Sequence, residues 1–568
     1  MSEHIFDVVG IERINDLPLL FEQMRQMNVT TFLDQQFPTH GNWAGSLTFG
    51  EVTSIWLCFI LSEGDHRLSQ VEPWAAAQQR TLAALVKKQV RPTDFSDDRL
   101  ADILMRLGDA ERWPEFEASL NSHLLRVYDL TPSRVRLDTT TAQTYAGVDG
   151  EGRFQFGYNA TARGDLAQIK LSLSSLDPIG LPLVAIALSG KAADQPTYLP
   201  QVRQVRRQLG RRGLTYIGDS KLGALANRAG IVSGGDYYLC PLGGPQLQAS
   251  PLEELLDPFL SQGQSLIEIR DDEDGQLIAA GFERRVWQEA VSDRQAVKWE
   301  ERQLLIRSEA FAELENERLT RRLATVEAEL AKLNERKRGK KRLSAEELSK
   351  SCARIVERQG VSQLLEWRIV TQTIEEDRRA VSQSVVRWEL KQAAIERARQ
   401  LAGWRVYATN HQAEQMSLLQ AVGAYREQYL IERGFGRLKG RLLGLMPLYL
   451  QEEQRVVGLI NLLLIGLRAL CLLEFQVRRA LGQETEPERR VLRGLHAGQA
   501  GRANPNPTSE LMLRAFRGIH LMEQMIGDQL HVWVTPLSAL QERLLQLLGF
   551  PQDLYQRLIK HLQNPVPI

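Results

Sequence analysis

The run IKLSLSSLDPIGLPLVAIALSG, residues 169 to 190, leaves few folds open. Two strand-like stretches flank the turn signal Asp177-Pro178-Ile179-Gly180, and such a pair closes into a hairpin. Just upstream, RVRLDTTT is β-rich and reads as a further strand. Downstream come a helical stretch, YLPQVRQVRRQLGRR (198 to 212), then the short apolar run LTYIGD ending at Asp219, and later the strand-like DYYLCPL (236 to 242). The order of strand, hairpin, helix, strand, helix, strand is that of an α/β core.

The flanking regions differ in character. Residues 1–130 read as a separate helical domain, as in TFGEVTSIWLCFILSEG at 48 to 64, where apolar clusters alternate with charged connectors. Residues 131–244 form the first part of the core. An α+β insertion is expected over 245–410, with strands at SLIEIRD and GQLIAAGFERRVWQ followed by a long charged helix. Leu319, Leu323, Val326, Leu330 and Leu333 recur at heptad spacing, and Leu348, Cys352 and Ile355 repeat it after the basic turn RKRGKKR (336 to 342). An antiparallel coiled-coil hairpin is the simplest account. GWRVYATN (403 to 410) closes the insertion as a strand, 411–475 returns to the core, and 476–568 reads as a helical C-terminal region holding the loop GRANPNPTSE.

Composition excludes some classes. Lys plus Arg and Asp plus Glu both number 70, so no overall basic excess announces nucleic-acid binding, and any such contact must use local patches. The four cysteines, Cys58, Cys240, Cys352 and Cys471, are too dispersed for a zinc site or a disulfide framework, which fits a reducing cytoplasm. The N-terminus MSEHIFDVVG lacks the basic and apolar regions of a secretory signal. Val456 to Phe475 approaches membrane-span length but carries Asn461, Arg468 and Glu474, so it reads as a buried core helix and no membrane partner is expected.

The chemistry-bearing stretch is YREQYLIERGFGRLKG, residues 425 to 440. Seven residues turn a helix about 20° short of two full turns, so Tyr425, Glu432 and Lys439 line one face, joined by Gln428. Leu430, Ile431, Phe435 and Leu438 form the packing stripe. Asp138 interrupts a β-rich run and Asp219 terminates another, and a charge in such a setting is costly unless it is paired or binds a cation. Asp138, Asp219 and Glu432 together would supply three oxygen-ligand carboxylates for hard cations such as Mg²⁺ or Mn²⁺. Two such ions can activate a water or a 3′-hydroxyl and stabilise the leaving oxygen of an in-line phosphoryl displacement.

RLDTTT, YIGDSKLGALANRAG and YREQYLIERGFGRLKG, in this strand order, resemble the RNase H-like DDE transposases of bacterial insertion sequences, in the group with a Tyr-x2-Arg-x3-Glu-x6-Lys signature. The resemblance covers most of the chain. GYNATARGDLAQIKLSL, LSGKAAD (188 to 194) and GRLLGLMPLYL are similar to segments of a subgroup with a long insertion before the glutamate. The resemblance implies an RNase H-like core, a mixed sheet flanked by helices, with Asp138, Asp219 and Glu432 as catalytic triad and holders of two divalent metal ions. It implies that Tyr425, Gln428 and Lys439 grip the DNA end. Gln428 stands where the family has arginine, which keeps hydrogen bonding but loses a bidentate phosphate contact. Implied partners are double-stranded DNA, as terminal inverted repeats and as target, and a second protomer bridging paired ends. The N-terminal helices are, by analogy, the base-reading part.

Arg203, Arg206, Arg207, Arg211 and Arg212 read either as a phosphate-facing stripe or as a solvated helix face. Trp404 reads as packing. Two other function classes remain open: a nuclease of the same fold that only hydrolyses, and a catalytically silent DNA-binding protein derived from a transposase.

Overall fold

The computed structural model describes residues 6–148, 150–157, 164–247, 251–271, 275–335, 343–376, 379–526 and 529–563. The basic turn at 336–342 and the stretch 158–163 within GYNATARGD lie outside the described residues. The chain forms two compact units, one of residues 1–238, 291–297 and 424–568, the other of 239–290 and 298–423.

In the first unit, Arg134–Thr144 (β1) pairs antiparallel with Ala167–Leu176 (β2), and β2 pairs antiparallel with Leu181–Ser189 (β3). The hairpin turn falls on Asp177–Gly180, where Gly180 takes φ +66°. On its other side β1 runs parallel to Thr215–Ile217 (β4), with Arg134 opposite Thr215 and Arg136 opposite Ile217. Parallel neighbours need a crossover, and the helix Tyr198–Leu209 (α1) supplies it, burying Tyr198, Val202 and Val205. The result is a mixed α/β unit whose mixed sheet is flanked by helices.

The apolar segment from Val456 lies in the helix Glu453–Gln483, which is long and apolar enough to cross a membrane by length and composition, yet 94% of its most apolar window is buried inside the protein. The three polar residues of that segment all have partners. Asn461 donates to the Leu107 carbonyl at 2.8 Å, and Arg468, fully buried, donates to Glu117 at 2.7 Å and to the carbonyls of Pro182 and Leu183. Glu474 pairs with Arg433 and Arg437.

Residues 1–130, expected as a separate helical domain, fall in the same unit as the sheet. Phe49–Glu63 begins with a capping box of Thr48 and Glu51 and ends at Gly64 in the left-handed region, as its sequence dictates. The terminal regions are not purely helical. Phe6–Arg13 pairs antiparallel with His520–Ile526, which pairs with Gln529–Val534. The first of these pairings joins opposite ends of the chain, which no local pattern can announce.

In the second unit, Gln295–Arg307 pairs antiparallel with Trp404–Thr409, which also pairs with Leu239 to Leu242. Trp404 is buried against Phe259 and Phe282, a packing role. The seam residues Leu319, Leu323, Val326 and Leu330 of the helix Glu309–Asn334 do meet Leu348, Cys352 and Val356 of Ala345–Arg358. They share that core with Leu365 and Val386 of a strand pair, Leu365–Glu376 and Arg379–Leu390. The helices thus cover a two-stranded sheet, where the heptads alone suggested a helix-only hairpin. The period-two alternation in LEWRIVTQ was the missed signal.

Candidate active site

Strand β1 organises the site. Its alternation puts Arg136, Asp138 and Thr140 on one face, and each meets one of two successive helices, Leu418–Arg426 (α2) and Tyr429–Lys439 (α3). Arg136 donates through Nη2 to the Ala424 carbonyl at 2.7 Å and to the Glu427 carboxylate at 3.1 Å. Asp138 lies within the field of Glu432. Thr140 Oγ1 accepts from Lys439 Nζ at 2.6 Å. Contacts that advance together along strand and helices mean that they run in the same direction.

The single helix expected from Tyr425 to Lys439 is divided at Glu427 and Gln428. In a continuous helix the Ala424 carbonyl would accept from the Gln428 N–H. Arg136 donates to that carbonyl instead, and Gln428 N–H bonds to the Tyr425 carbonyl at 3.1 Å. Arg136 is held for this by a bidentate pair with Asp177, 2.7 and 2.8 Å. Tyr425 therefore sits half-buried on α2, while Glu432 and Lys439 share α3. Gln428 precedes the first residue of α3, and its Oε1 is buried with no hydrogen-bond partner among the described residues.

Asp219 follows β4. Continuing the parallel register by two residues sets it level with Asp138 on the neighbouring strand, roughly 4.8 Å away at the backbone. Asp219 Oδ1 accepts from the Tyr198 hydroxyl at 2.6 Å and from the Lys221 N–H at 2.8 Å. Burial and the charge of Asp219 push the Tyr198 hydroxyl far up from its usual pKa. Asp138 Oδ1 accepts from the Thr139 N–H at 2.7 Å. Burial raises the Asp138 carboxyl from 3.8 to about 7, with the charges of Asp219, Glu432 and Asp194 adding to the rise and the Thr139 N–H opposing it. Glu432 is exposed in the first turn of α3, where the helix dipole favours a carboxylate. Burial draws Lys439 down from its ordinary pKa and Asp138 pulls it back up.

The structure thus gathers Asp138, Asp219, Glu432 and Lys439, with Gln428 one residue before the helix that carries the last two and Tyr425 on the preceding one. Among the described residues, no three His, Cys, Asp or Glu side chains stand close enough to hold a metal ion. Asp138 feels the charges of Asp219 and Glu432, and Glu432 is exposed.

Asp194 belongs with them, although LSGKAAD carried no site residue in the sequence reading. Its Oδ1 accepts from Thr139 Oγ1 at 3.1 Å and from Lys170 Nζ at 2.6 Å. Lys170 was missed too, and the signal that could have found it is that it is the one charged residue of the strand AQIKLSLSSL. A cavity of about 560 Å³ lies here, lined by Thr139, Thr140, Lys170, Asp194 and Lys439 among others. Past the end of β1, the rings of Tyr145 and Tyr449 stack at 5.4 Å, with 52% and 65% of their surfaces exposed. The basic stripe dissolves in part: Arg206 pairs with Asp236 and Arg203 with Asp293 at 2.5 Å, while Arg207, Arg211 and Arg212 face solvent.

No protein-family model and no curated protein matches the chain. Among solved structures it is similar to a piggyBac transposase in a synaptic complex with hairpin DNA, at 9% identity and a TM-score of 0.32, over 85% of this chain and 80% of that one. Likeness of this size leaves the fold and the site to be argued from the chain's own residues.

Proposed function

We propose that the protein is a DDE transposase of RNase H-like fold, cleaving DNA at insertion-sequence ends and transferring the freed strands into target DNA. The observation that carries this reading is the placement of Asp138 inside a strand, beside the parallel strand that Asp219 follows, with a proton affinity raised first by burial and then by the charges of Asp219, Glu432 and Asp194. A cluster of like charges around a partly buried carboxylate costs stability, and a bound cation offsets that cost.

Hard oxygen donors and mutual repulsion fit divalent ions, Mg²⁺ with Mn²⁺ as substitute, held by Asp138, Asp219 and Glu432. When bound, such ions supply Lewis-acid activation of the attacking oxygen and stabilisation of the leaving one. The protein's own groups do the rest. The Tyr198 hydroxyl and the Lys221 N–H fix the orientation of Asp219. Lys439, anchored on Thr140 beside Asp138, places a cation where a scissile phosphate would lie. The exposed Tyr145–Tyr449 pair offers a face on which a terminal base can stack. In this reading two protomers bridge paired ends, and the 3′-hydroxyl released by hydrolysis attacks target DNA without a covalent protein intermediate.

The test is strand cleavage of DNA carrying the flanking inverted repeats of the coding region, with Mg²⁺ or Mn²⁺, comparing wild type with Glu432→Gln. Glu432 is exposed, so the variant keeps its melting temperature and loses nicking at the repeat boundary by on the order of 10²- to 10⁴-fold. Specific binding with no cleavage by either protein would sink the reading and leave the catalytically silent one. Gln428 gives that alternative its foothold. Gln428→Arg removes a buried acceptor without a partner, a cost of about 1–3 kcal/mol, and adds a cation beside Glu432. DNA binding by this variant steepens in its salt dependence by roughly 0.9 in the slope of log K against log salt, as measured by fluorescence anisotropy.

A further inference from the structure

The first unit holds a second cavity, of about 850 Å³, that the cleavage reading does not use. Five arginines line it: Arg433 and Arg437 from α3, Arg441 just beyond it, and Arg514 and Arg517 at the end of the helix Ser509–Ala515. Glu63, Glu510 and Asp16 line it as well.

The charges do not cancel. Arg433 and Arg437 pair with Glu474, and Arg437 also with Glu510 at 2.8 Å, while Glu63 is taken by Arg13 at 3.2 Å. Asp16 accepts from Ser62 Oγ at 2.5 Å, and burial lifts its carboxyl to about 6. That leaves Arg441, Arg514 and Arg517. Their side chains are exposed and make no hydrogen bond or ion pair among the described residues, although Arg517 lies within the field of Asp16. Three guanidinium groups gathered around one cavity repel one another unless an anion joins them, and their planar forks match phosphate oxygens.

We propose that this cavity is a phosphate-binding site for a run of phosphodiester backbone, with Arg441, Arg514 and Arg517 as its ligands. Its volume lies in the upper range of ligand pockets, which suits several linked phosphates better than one. Arg433 and Arg437 follow Glu432 by one and five residues, so they stand about 100° and 140° round the same helix. The cavity therefore adjoins a side of α3 well round from Glu432, and one run of backbone reaches both by passing round the helix. The choice of DNA as the source rests on the function proposed above, whereas the phosphate chemistry does not.

The test uses the full chain and the triple variant R441Q/R514Q/R517Q, with two probes. Inorganic tripolyphosphate raises the melting temperature of wild type, and the variant needs at least about fivefold more of it for the same shift. Duplex DNA binding, followed by anisotropy between 50 and 200 mM salt, loses about 2 to 3 from its log–log salt slope in the variant, close to 0.9 per phosphate contact removed. Weaker tripolyphosphate binding with an unchanged DNA slope supports the pocket and assigns it to a free polyphosphate, overturning DNA as the source. Equal tripolyphosphate response and equal salt slope in the two proteins overturn the proposal. Should wild type bind no DNA at all, the cleavage reading fails and the tripolyphosphate arm still decides the pocket. If the triple variant does not fold, R441Q/R514Q leaves Arg517 beside Asp16 and serves in its place.

Discussion

Asp138→Asn makes the protein more stable and inactive in the same stroke. The Asp138 carboxyl rises from 3.8 to about 7 in the folded chain. A raised carboxylate pKa means that the folded state binds the proton more tightly than the unfolded one. Stability is therefore full below about pH 4 and declines as pH climbs toward 7. Three units correspond to about 4 kcal/mol at pH 8, an upper figure. Asparagine keeps the acceptor for the Thr139 N–H and cannot ionise, so in EDTA at pH 8 the variant melts higher than wild type by the equivalent of about 2–4 kcal/mol, and the gap closes at pH 4. Cleavage falls by on the order of 10²- to 10⁴-fold. Differential scanning fluorimetry against pH, beside the nicking assay, checks both halves. A variant less stable than wild type at pH 8 would mean that Asp138 is a structural carboxylate. In a second arm, Mg²⁺ stabilises wild type and leaves Asp138→Asn unmoved.

Arg468→Met is expected to cost about 3–5 kcal/mol, the usual penalty for stripping one partner from a buried ion pair. Arg468 and Glu117 are both fully buried, at 2.7 Å. Burial raises the Glu117 carboxyl, and Arg468 is the foremost group holding it down. Removing the arginine leaves that carboxylate without its countercharge and takes a donor from the Pro182 carbonyl, while the Leu183 carbonyl keeps its bond from Asn121 at 2.8 Å. Urea unfolding measures the loss. The double variant R468M/E117L recovers most of it, because two apolar side chains no longer bury a charge, and failure to recover would place the cost in packing.

The sequence made the strand order around Asp138 and Asp219 readable because strands, hairpin and crossover helix are local patterns. RVRLDTTT, the Asp177–Gly180 turn and the helix at 198–209 each need only their own residues. The site was legible where a charge stood in or at the end of a β-rich run, at Asp138 and Asp219, and less so where function depends on distant partners. The division between Tyr425 and Glu432 turns on Arg136, nearly three hundred residues earlier in the chain. Arg136 looked like an ordinary member of a β-rich run, and nothing nearby signals that it is fully buried and claims a helix carbonyl. The strand pairing of Phe6–Arg13 was hidden for the same reason.

That claim on the Ala424 carbonyl bears on how such a chain can change. Arg136 with Ala424, Asp138 with Glu432 and Thr140 with Lys439 gauge two helices against one strand, and all six residues belong to the first unit. The second unit, residues 239–290 and 298–423, supplies none of these six residues. Its length and sequence can change over generations while these three strand-to-helix contacts keep their alignment.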